Sequence, residues 1–193
     1  GIIDERRPCG YTRRERFMHS KLSKLQHIRD NTGSCKTRGL PNNVIEACFD
    51  SFAELKQAID EAFETHKELT NEFGAELSNM EEGSLIEKLQ SDYVNFYPGP
   101  CINPYIALSA KGPWIITSHG GVLHDNGGYG MLGMGHGPDD VISAMKNNWV
   151  MANVMTPSFS HKRFANRLRK EVGHRRGFCP FSKFVCMNSG SES

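Results

Sequence analysis

Residues 188–193, read Asn-Ser-Gly-Ser-Glu-Ser, have side chains and spacing well suited to bind an anion. They follow an apolar run at residues 184–187, Phe-Val-Cys-Met, whose bulk and length are typical of a buried strand. Small polar residues directly after a strand favour a turn into a helix, where Ser or Asn caps the free N–H groups. Gly190 lets a ligand approach the backbone, and the N–H groups and helix dipole attract negative charge. The pattern predicts an anion site suited to phosphate.

A strand-to-helix turn without a ligand is the alternative interpretation, because such turns are common. A second stretch bears on the choice between the two. Residues 121–125, Gly-Val-Leu-His-Asp, form an apolar segment that leads into Asn126 and Gly127, and this Asn-Gly pair favours a tight hairpin turn. Gly135, His136 and Pro138 follow a few residues later.

These two stretches resemble, in order and rough separation, two motifs of class III aminotransferases, the pyridoxal-phosphate enzymes that include ornithine, acetylornithine and lysine aminotransferases. Residues 188–193 are similar to the family's phosphate-binding motif. Residues 121–138 are similar to its strand, Asp-x-x-Gly hairpin and Gly-His-x-x-Pro signature, although Pro138 here comes two residues after His136, one fewer than in the family. The resemblance covers about residues 93–193.

The resemblance implies the α/β architecture of fold type I of the pyridoxal-phosphate-dependent transferases, present here in part, and a homodimer. It implies that Ser189, Gly190 and Ser191 bind the phosphate of pyridoxal 5'-phosphate, with Gly190 and Ser191 as main-chain donors. In the family, the cofactor lysine, the acidic partner of the pyridine nitrogen and the ring-stacking aromatic lie beyond this loop. No catalytic residue is therefore assigned within the 193 residues.

The expected function is that of the N-terminal part of an aminotransferase, which moves an amino group from an amino donor to a keto acid or aldehyde. These residues alone are expected to be inactive. Racemases, aminomutases and decarboxylases of the same family are neighbouring alternatives. An alternative from another class is a non-catalytic helical interaction or oligomerisation module that carries a remnant of the fold.

Charge is distributed unevenly along the chain. Residues 1–40, 41–100 and 101–193 carry net charges of +6, −10 and +5, although the whole chain carries only +1. The alternation suggests that the first two segments attract each other or a partner. It argues against a uniformly basic surface, so we expect no nucleic-acid partner.

The six cysteines show no Cys-x-x-Cys pair and no tight disulfide framework, so we expect free thiols in a reducing, cytoplasmic compartment. No apolar run approaches the roughly 18 residues of a membrane span, and we expect no membrane partner. His119, His124 and His136 are close in sequence. No Cys or carboxylate spacing completes a recognisable metal site around them, so no metal is predicted.

Residues 1–92 are predicted to form a helical N-terminal segment. Its main element is a long amphipathic helix over residues 43–73, capped by Asn43 with Glu46 three residues later. A second helix is expected to begin at Ser84. The stripe of the long helix advances in steps of three and four, and we expect His66 on it to be a packed histidine rather than a pH-sensitive group. Its members are Ile45, Cys48, Phe52, Leu55, Ile59, Ala62, His66, Leu69 and Phe73.

Residues 93–193 are predicted to be the N-terminal part of the aminotransferase-like domain, ending at the phosphate-binding loop. A proline-rich connector begins it, and strands at residues 114–117 and 122–125 fit a small β-meander. Pro138 suits the first turn of a helix. A further helix is expected from a Ser160 cap to Gly173.

Overall fold

The computed structural model describes residues 13–94, 105–127, 133–149 and 156–187. Within these ranges the chain is a mixed α/β protein with seven helices and a three-stranded antiparallel sheet, so the predicted α/β class is confirmed at that level. The helices are α1 (Arg13–Asp30), α2 (Asn42–Cys48), α3 (Ala53–Phe73), α4 (Ala75–Ser78), α5 (Glu82–Gln90), α6 (Asp139–Met145) and α7 (Phe159–Gly173). The strands are β1 (Ala107–Lys111), β2 (Trp114–Thr117) and β3 (Val122–His124).

The chain divides into two compact units, Gly1–Ile142 and Ser143–Ser193. The first contains α1 to α5 and the sheet, and the second contains α7. The predicted boundary after residue 92 adjoins residues 95–104, which lie outside the described residues, and it stays a prediction.

The core of the first unit is built by α1, α2, α3 and the sheet. Helical spacing in α1 and α3 places one apolar residue per turn toward this core, as the periodicity predicts. Burying each such aliphatic side chain contributes about 1.5–3 kcal/mol relative to exposure, so these contacts dominate the stability of the unit. The core residues are Leu25, Ile28, Ile45, Phe49, Leu55, Ala58, Ile59, Ala62, Trp114, Ile116 and Val122.

The predicted continuous helix over residues 43–73 is wrong. The chain forms two helices, α2 and α3, because it leaves the helical conformation after Cys48 and re-enters it at Ala53. Asp50 and Ser51 between them favour turns over helix interiors. Phe52 has extended dihedrals, φ −127° and ψ 101°, and its ring packs edge-on against Trp114 at 5.3 Å. The steps of three and four continue across the break, so the pattern could not reveal it.

Two predicted helix starts are also corrected. At α2 the Asn43 capping box does not form, because Pro41 occupies the cap position and its carbonyl accepts the N–H groups of Val44 and Ile45. At α5 the helix begins at Glu82 rather than Ser84. Glu81 is the cap, and its side chain accepts the Ser84 N–H at 2.9 Å.

The predicted β-meander is confirmed. The strands run in the order β1-β2-β3, with antiparallel pairing that joins Lys111 to Trp114 and Trp114 to His124. All four residues of β2 are buried, because it is the central strand and α3 packs on the sheet. The predicted helix after Pro138 is also confirmed as α6, with Asp139 and Asp140 in its first turn.

Among the described residues, no helix combines the length and the apolar character needed to span a bilayer.

Candidate functional site

The predicted phosphate-binding residues Ser189, Gly190 and Ser191 lie outside the described residues, so their assignment stays a prediction. The segment that leads to them is described as far as Met187. The predicted buried strand at residues 184–187 is wrong, since this segment is not part of a strand and Val185 is 83% exposed. A strand requires a neighbouring chain to satisfy its N–H and C=O groups, and the β1-β2-β3 sheet does not provide one.

Helix α7 contacts the segment that precedes the predicted phosphate-binding loop, residues 178–187. The guanidinium of Arg169 donates to the Ser182 carbonyl at 2.9 Å and lies 5.5 Å from the ring centroid of Phe184. At the end of the helix, Gly173 faces the backbone of Phe178. A Cβ atom at position 173 would lie only 2.8 Å from the Phe178 carbonyl carbon, so glycine is required for this close approach. The residues before the predicted loop are therefore anchored at both Phe178 and Ser182.

The start of α7 differs by two residues from the sequence prediction. Ser158, rather than Ser160, is the N-cap, and its hydroxyl accepts the His161 N–H at 3.2 Å. Both serines are chemically able to cap, so only the backbone conformation distinguishes them. Ser158 has the extended dihedrals that a cap requires.

The described parts of the second motif stretch, residues 121–127 and 133–138, form a clamp at the end of the sheet. Asp125 follows β3 directly, and its carboxylate lies 2.9 Å from Nε2 of His136. The backbone of His136 in turn pairs with that of Gly112 through two hydrogen bonds, of 2.9 and 2.8 Å. The two side chains are about one-fifth exposed, at 20% and 22%. The side-chain pair fastens residues 135–138 to the end of β3, and the two backbone bonds to Gly112 fasten them to the β1–β2 turn.

Close backbone contact explains the glycines of this clamp. Gly135 has φ +76°, and a Cβ there would lie 2.9 Å from Gly112. Lys111 completes the arrangement, since its ammonium donates to the Gly137 carbonyl at 2.7 Å and to the Asp139 carboxylate at 2.5 Å. The start of α6 is thereby tied to the end of β1.

The three histidines considered as metal ligands have separate partners. Nε2 of His119 lies 3.0 Å from the Met80 carbonyl, whereas His124 bonds Asn126 at 2.8 Å and His136 bonds Asp125. His119 is only 3% exposed and thus serves as a buried link. In the described ranges, no group of three or more His, Cys, Asp or Glu residues is arranged to hold a metal ion.

Glu82 is a buried group that the sequence did not reveal. It is 1% exposed, and Oε2 accepts the N–H groups of Lys36 and Thr37 at 2.9 and 3.0 Å. Its own N–H donates to the Ser34 carbonyl at 3.0 Å, while Oε1 is buried without a protein partner. Glu82 therefore fixes the connection between α1 and α2. An acidic residue in a first helical turn was the only available signal, and exposed acids give the same signal.

Arg29 is a second positioning residue that sequence reasoning missed. From α1 it donates to the Gly120 carbonyl in the β2–β3 turn at 2.9 Å and to Asn42 at the start of α2 at 2.9 Å. Burial lowers the pKa of the Arg29 guanidinium, and the charges of Cys35 and Asp30 partly oppose this shift. Its partners are separated by many residues along the chain, so no local pattern points to them.

Comparison of the chain with protein-family models, with curated proteins and with solved structures finds no match.

Proposed function

We propose that this chain is the N-terminal part of a class III pyridoxal-phosphate-dependent aminotransferase with the fold of type I enzymes. In a homodimer, the complete enzyme would transfer an amino group from an amino donor to a keto acid or aldehyde. The observation that carries the proposal is the order and separation of two motif stretches, residues 121–138 and residues 188–193.

The geometry of the first stretch supports this interpretation. If the resemblance to the family motif were a chance match of a few residues, the two halves of the motif would not be expected to lie in contact. Here Asp125 and His136, eleven positions apart, lie within hydrogen-bond distance, and Gly135 makes the close approach that only glycine permits. The described residues on either side of positions 128–132 are therefore in direct contact.

The chemistry of the predicted loop suits the cofactor's phosphate. Ser189, Gly190 and Ser191 offer hydroxyl and main-chain N–H donors, and Arg169 anchors the segment that precedes them. When bound, pyridoxal 5'-phosphate supplies an electron sink at the substrate carbon. The role proposed for this chain is to bind and orient the phosphate. No catalytic residue is proposed among residues 1–193, because the resemblance assigns those roles to a later part of the fold.

A cytoplasmic location is part of the proposal, with amino-acid or amine substrates and keto acids as the small-molecule partners. It is supported by the four described cysteines, which are free thiols, as expected in a reducing compartment: Cys35, Cys48, Cys179 and Cys186.

The proposal can be tested by measuring the binding of pyridoxal 5'-phosphate and of pyridoxal, which lacks the phosphate. Ser191→Pro removes one proposed main-chain donor, whereas Ser191→Ala keeps it. We expect Ser191→Pro to weaken binding of the phosphorylated compound by roughly 10-fold or more, since a hydrogen bond to a charged group contributes about 1.5–3 kcal/mol. Ser191→Ala should bind nearly as the unmodified chain does. Equal weakening of pyridoxal binding would contradict phosphate recognition.

Activity gives an independent test. A polypeptide restricted to residues 1–193 should lack transaminase turnover, because the resemblance places the cofactor lysine elsewhere. Full turnover by a purified chain ending at Ser193 would overturn the proposal. For the complete enzyme, product analysis would distinguish amino transfer from racemisation, amino migration or decarboxylation.

The alternative of a non-catalytic helical module has less support. The central stripe residues of α3, Leu55, Ile59 and Ala62, are fully buried in the core of their own unit. The exposed members of the stripe are Phe52, at 37%, and the two at its end, Leu69 and Phe73, at 36% and 56%. A module built for association would be expected to present more of its apolar face.

A further inference from the structure

Two histidines meet across the interface between α1 and α3. The ring centroids of His27 on α1 and His66 on α3 are 6.1 Å apart, and the rings are nearly perpendicular at 82°. His66 is buried, with 6% exposure, whereas His27 is exposed. The ring of Phe63, one turn before His66, packs edge-on against His27 at 5.3 Å. The pair is therefore part of the surface that joins the two helices.

The charges around the pair are unfavourable to an added proton. The ammonium groups of Lys24 and Lys67 lie 5.4 and 5.1 Å from the Phe63 ring centroid. On α3, Asp60 binds Lys21 and Lys24, and Glu64 binds Lys67. On α1, Asp30, one turn after His27, accepts a hydrogen bond from the Gln26 amide at 2.7 Å.

The other elements packed against α3 bring little compensation. Helix α4 contributes Glu76 as its one charged residue. The sheet contacts the first half of α3 and brings Lys111, whose ammonium is bound to Asp139. A second imidazolium at the α1–α3 interface would thus add repulsion.

The protonation behaviour of His66 follows from this environment. Burial lowers the pKa of His66 from its ordinary value of 6.5, and the neighbouring His27 lowers it further. The His66 ring therefore takes up a proton at a higher pH when the chain is unfolded, or when α1 is detached, than it does in the packed interface. The neutral His66 ring therefore contributes fully to the stability of the α1–α3 packing above about pH 6.5. This contribution decreases as the pH falls below that value toward the pKa of the packed ring.

Helix α1 connects this interface to the sheet. On α1, His27 is only two residues from Arg29, whose side chain binds the Gly120 carbonyl. Leu25 and Ile28, within the same turn, are fully buried in the core. Gly120 has φ +72° and lies against the Leu25 carbonyl, where a Cβ would come within 3.1 Å. Movement of α1 would therefore release the turn between β2 and β3.

We propose that His27 and His66 make α1 a pH-sensitive latch on the β2–β3 turn. With both rings neutral, α1 stays docked on α3 and Arg29 holds Gly120. Protonation of the buried His66 ring places a positive charge against His27, next to the Phe63 ring that Lys24 and Lys67 already contact, and the docking of α1 weakens. The device is independent of the proposed enzymatic function.

Hydrogen exchange on the full chain tests the latch. Protection factors of α1 amides, corrected for intrinsic exchange, should fall several-fold between about pH 7.5 and about pH 5.5, because the unfolded or detached His66 ring takes up a proton more readily than the packed one. Amides in the middle of α3, such as Ile59, should change much less. His66→Gln should remove most of the pH dependence of α1, and His27→Gln should remove part of it. His161→Gln, an exposed histidine in α7, serves as the matched control and should behave as the unmodified chain.

The readout is the difference between two pH values, so a uniform loss of stability in a variant does not imitate the effect. If His66→Gln does not fold, the His27→Gln variant decides the matter. An unchanged pH dependence in the folded variants would overturn the latch. A parallel loss of protection in α1 and α3 would also overturn it, because it would indicate unfolding of the whole unit.

Discussion

Helices α3 and α7 carry similar apolar stripes but use them differently. In α3 the central stripe residues Leu55 and Ile59 are fully buried. In α7, Phe164 is 51% and Val172 41% exposed. The comparison shows that helical periodicity identifies an apolar face, whereas tertiary partners decide whether that face is buried.

The difference arises from the neighbours each helix has within its own unit. Helix α3 contacts α1, β1 and β2, and the Ser109 hydroxyl of β1 donates to the Ala58 carbonyl at 2.6 Å. Helix α7 is followed by a segment without helix or strand at residues 178–187, and Arg169 and Gly173 contact that segment. Most of the packing energy in the described chain is therefore concentrated around α3.

The largest expected effect comes from a matched pair of truncations in the two helices. Leu55→Ala should lower the free energy of unfolding by about 3 kcal/mol, because it leaves a cavity in the core. Val172→Ala should cost under about 1 kcal/mol, since the side chain is already partly exposed. Urea unfolding followed by tryptophan fluorescence measures both, with Trp114 as the reporter for Leu55→Ala and Trp149, in the same unit as α7, as the reporter for Val172→Ala. Equal losses in the free energy of unfolding would show that the difference in burial between Leu55 and Val172 does not affect stability.

The next effect concerns the buried carboxylate beside the core. Glu82→Ala should cost about 1–3 kcal/mol, because the Lys36 and Thr37 N–H groups lose their acceptor. Glu82→Gln keeps one oxygen acceptor and should cost less. The same unfolding measurement applies, and a larger loss for Gln than for Ala would contradict the assigned hydrogen bonds.

A smaller effect sharpens the description of α7. Ser158→Ala should destabilise the helix by about 1 kcal/mol through loss of the cap, and Ser160→Ala should have little effect. Amide exchange in the first turns of α7 distinguishes the two. If Ser160→Ala proved the more damaging substitution, the sequence prediction would be correct and the structure wrong at this point.

The smallest expected effect is electrostatic. Desolvation acts to raise the pKa of Asp60, but hydrogen bonds from Lys21 and Lys24 outweigh it and hold that pKa below 3.8. The ion pairs of Asp60 with Lys21 and Lys24 therefore stabilise the fold above about pH 4. This stabilisation is lost as the pH falls through the lowered pKa of Asp60. Because the carboxylate is 41% exposed, Asp60→Asn should cost under about 1 kcal/mol at neutral pH. As the pH falls below about 3.8, its unfolding midpoint should move progressively toward that of the unmodified chain, and an undiminished difference down to the acid limit of folding would contradict the ion pairs.

Local patterns predicted much of the fold. The short strand-like runs at residues 114–117 and 122–125 predicted the meander, and Pro138 marked the start of α6. His66 was confirmed as a packed side chain on its stripe, although the pH sensitivity proposed for it was not expected from the sequence. The break between α2 and α3 was missed because the periodicity continues through Phe52. The strand predicted around Val185 was wrong, because an apolar run does not supply the partner that a strand needs.

The candidate site was less accessible to sequence reasoning. Arg29, Lys111 and Glu82 act on partners distant along the chain, so they carry no local signature. Asp125 and His136 were found only through their motif. The predicted phosphate donors depend on the resemblance and await a direct test.

Amide NMR of the chain during titration with pyridoxal 5'-phosphate provides that test. The account predicts that the Ser189, Gly190 and Ser191 N–H signals shift together and saturably, that inorganic phosphate competes, and that pyridoxal leaves them in place. If those three signals do not respond while others do, the phosphate-binding assignment is wrong.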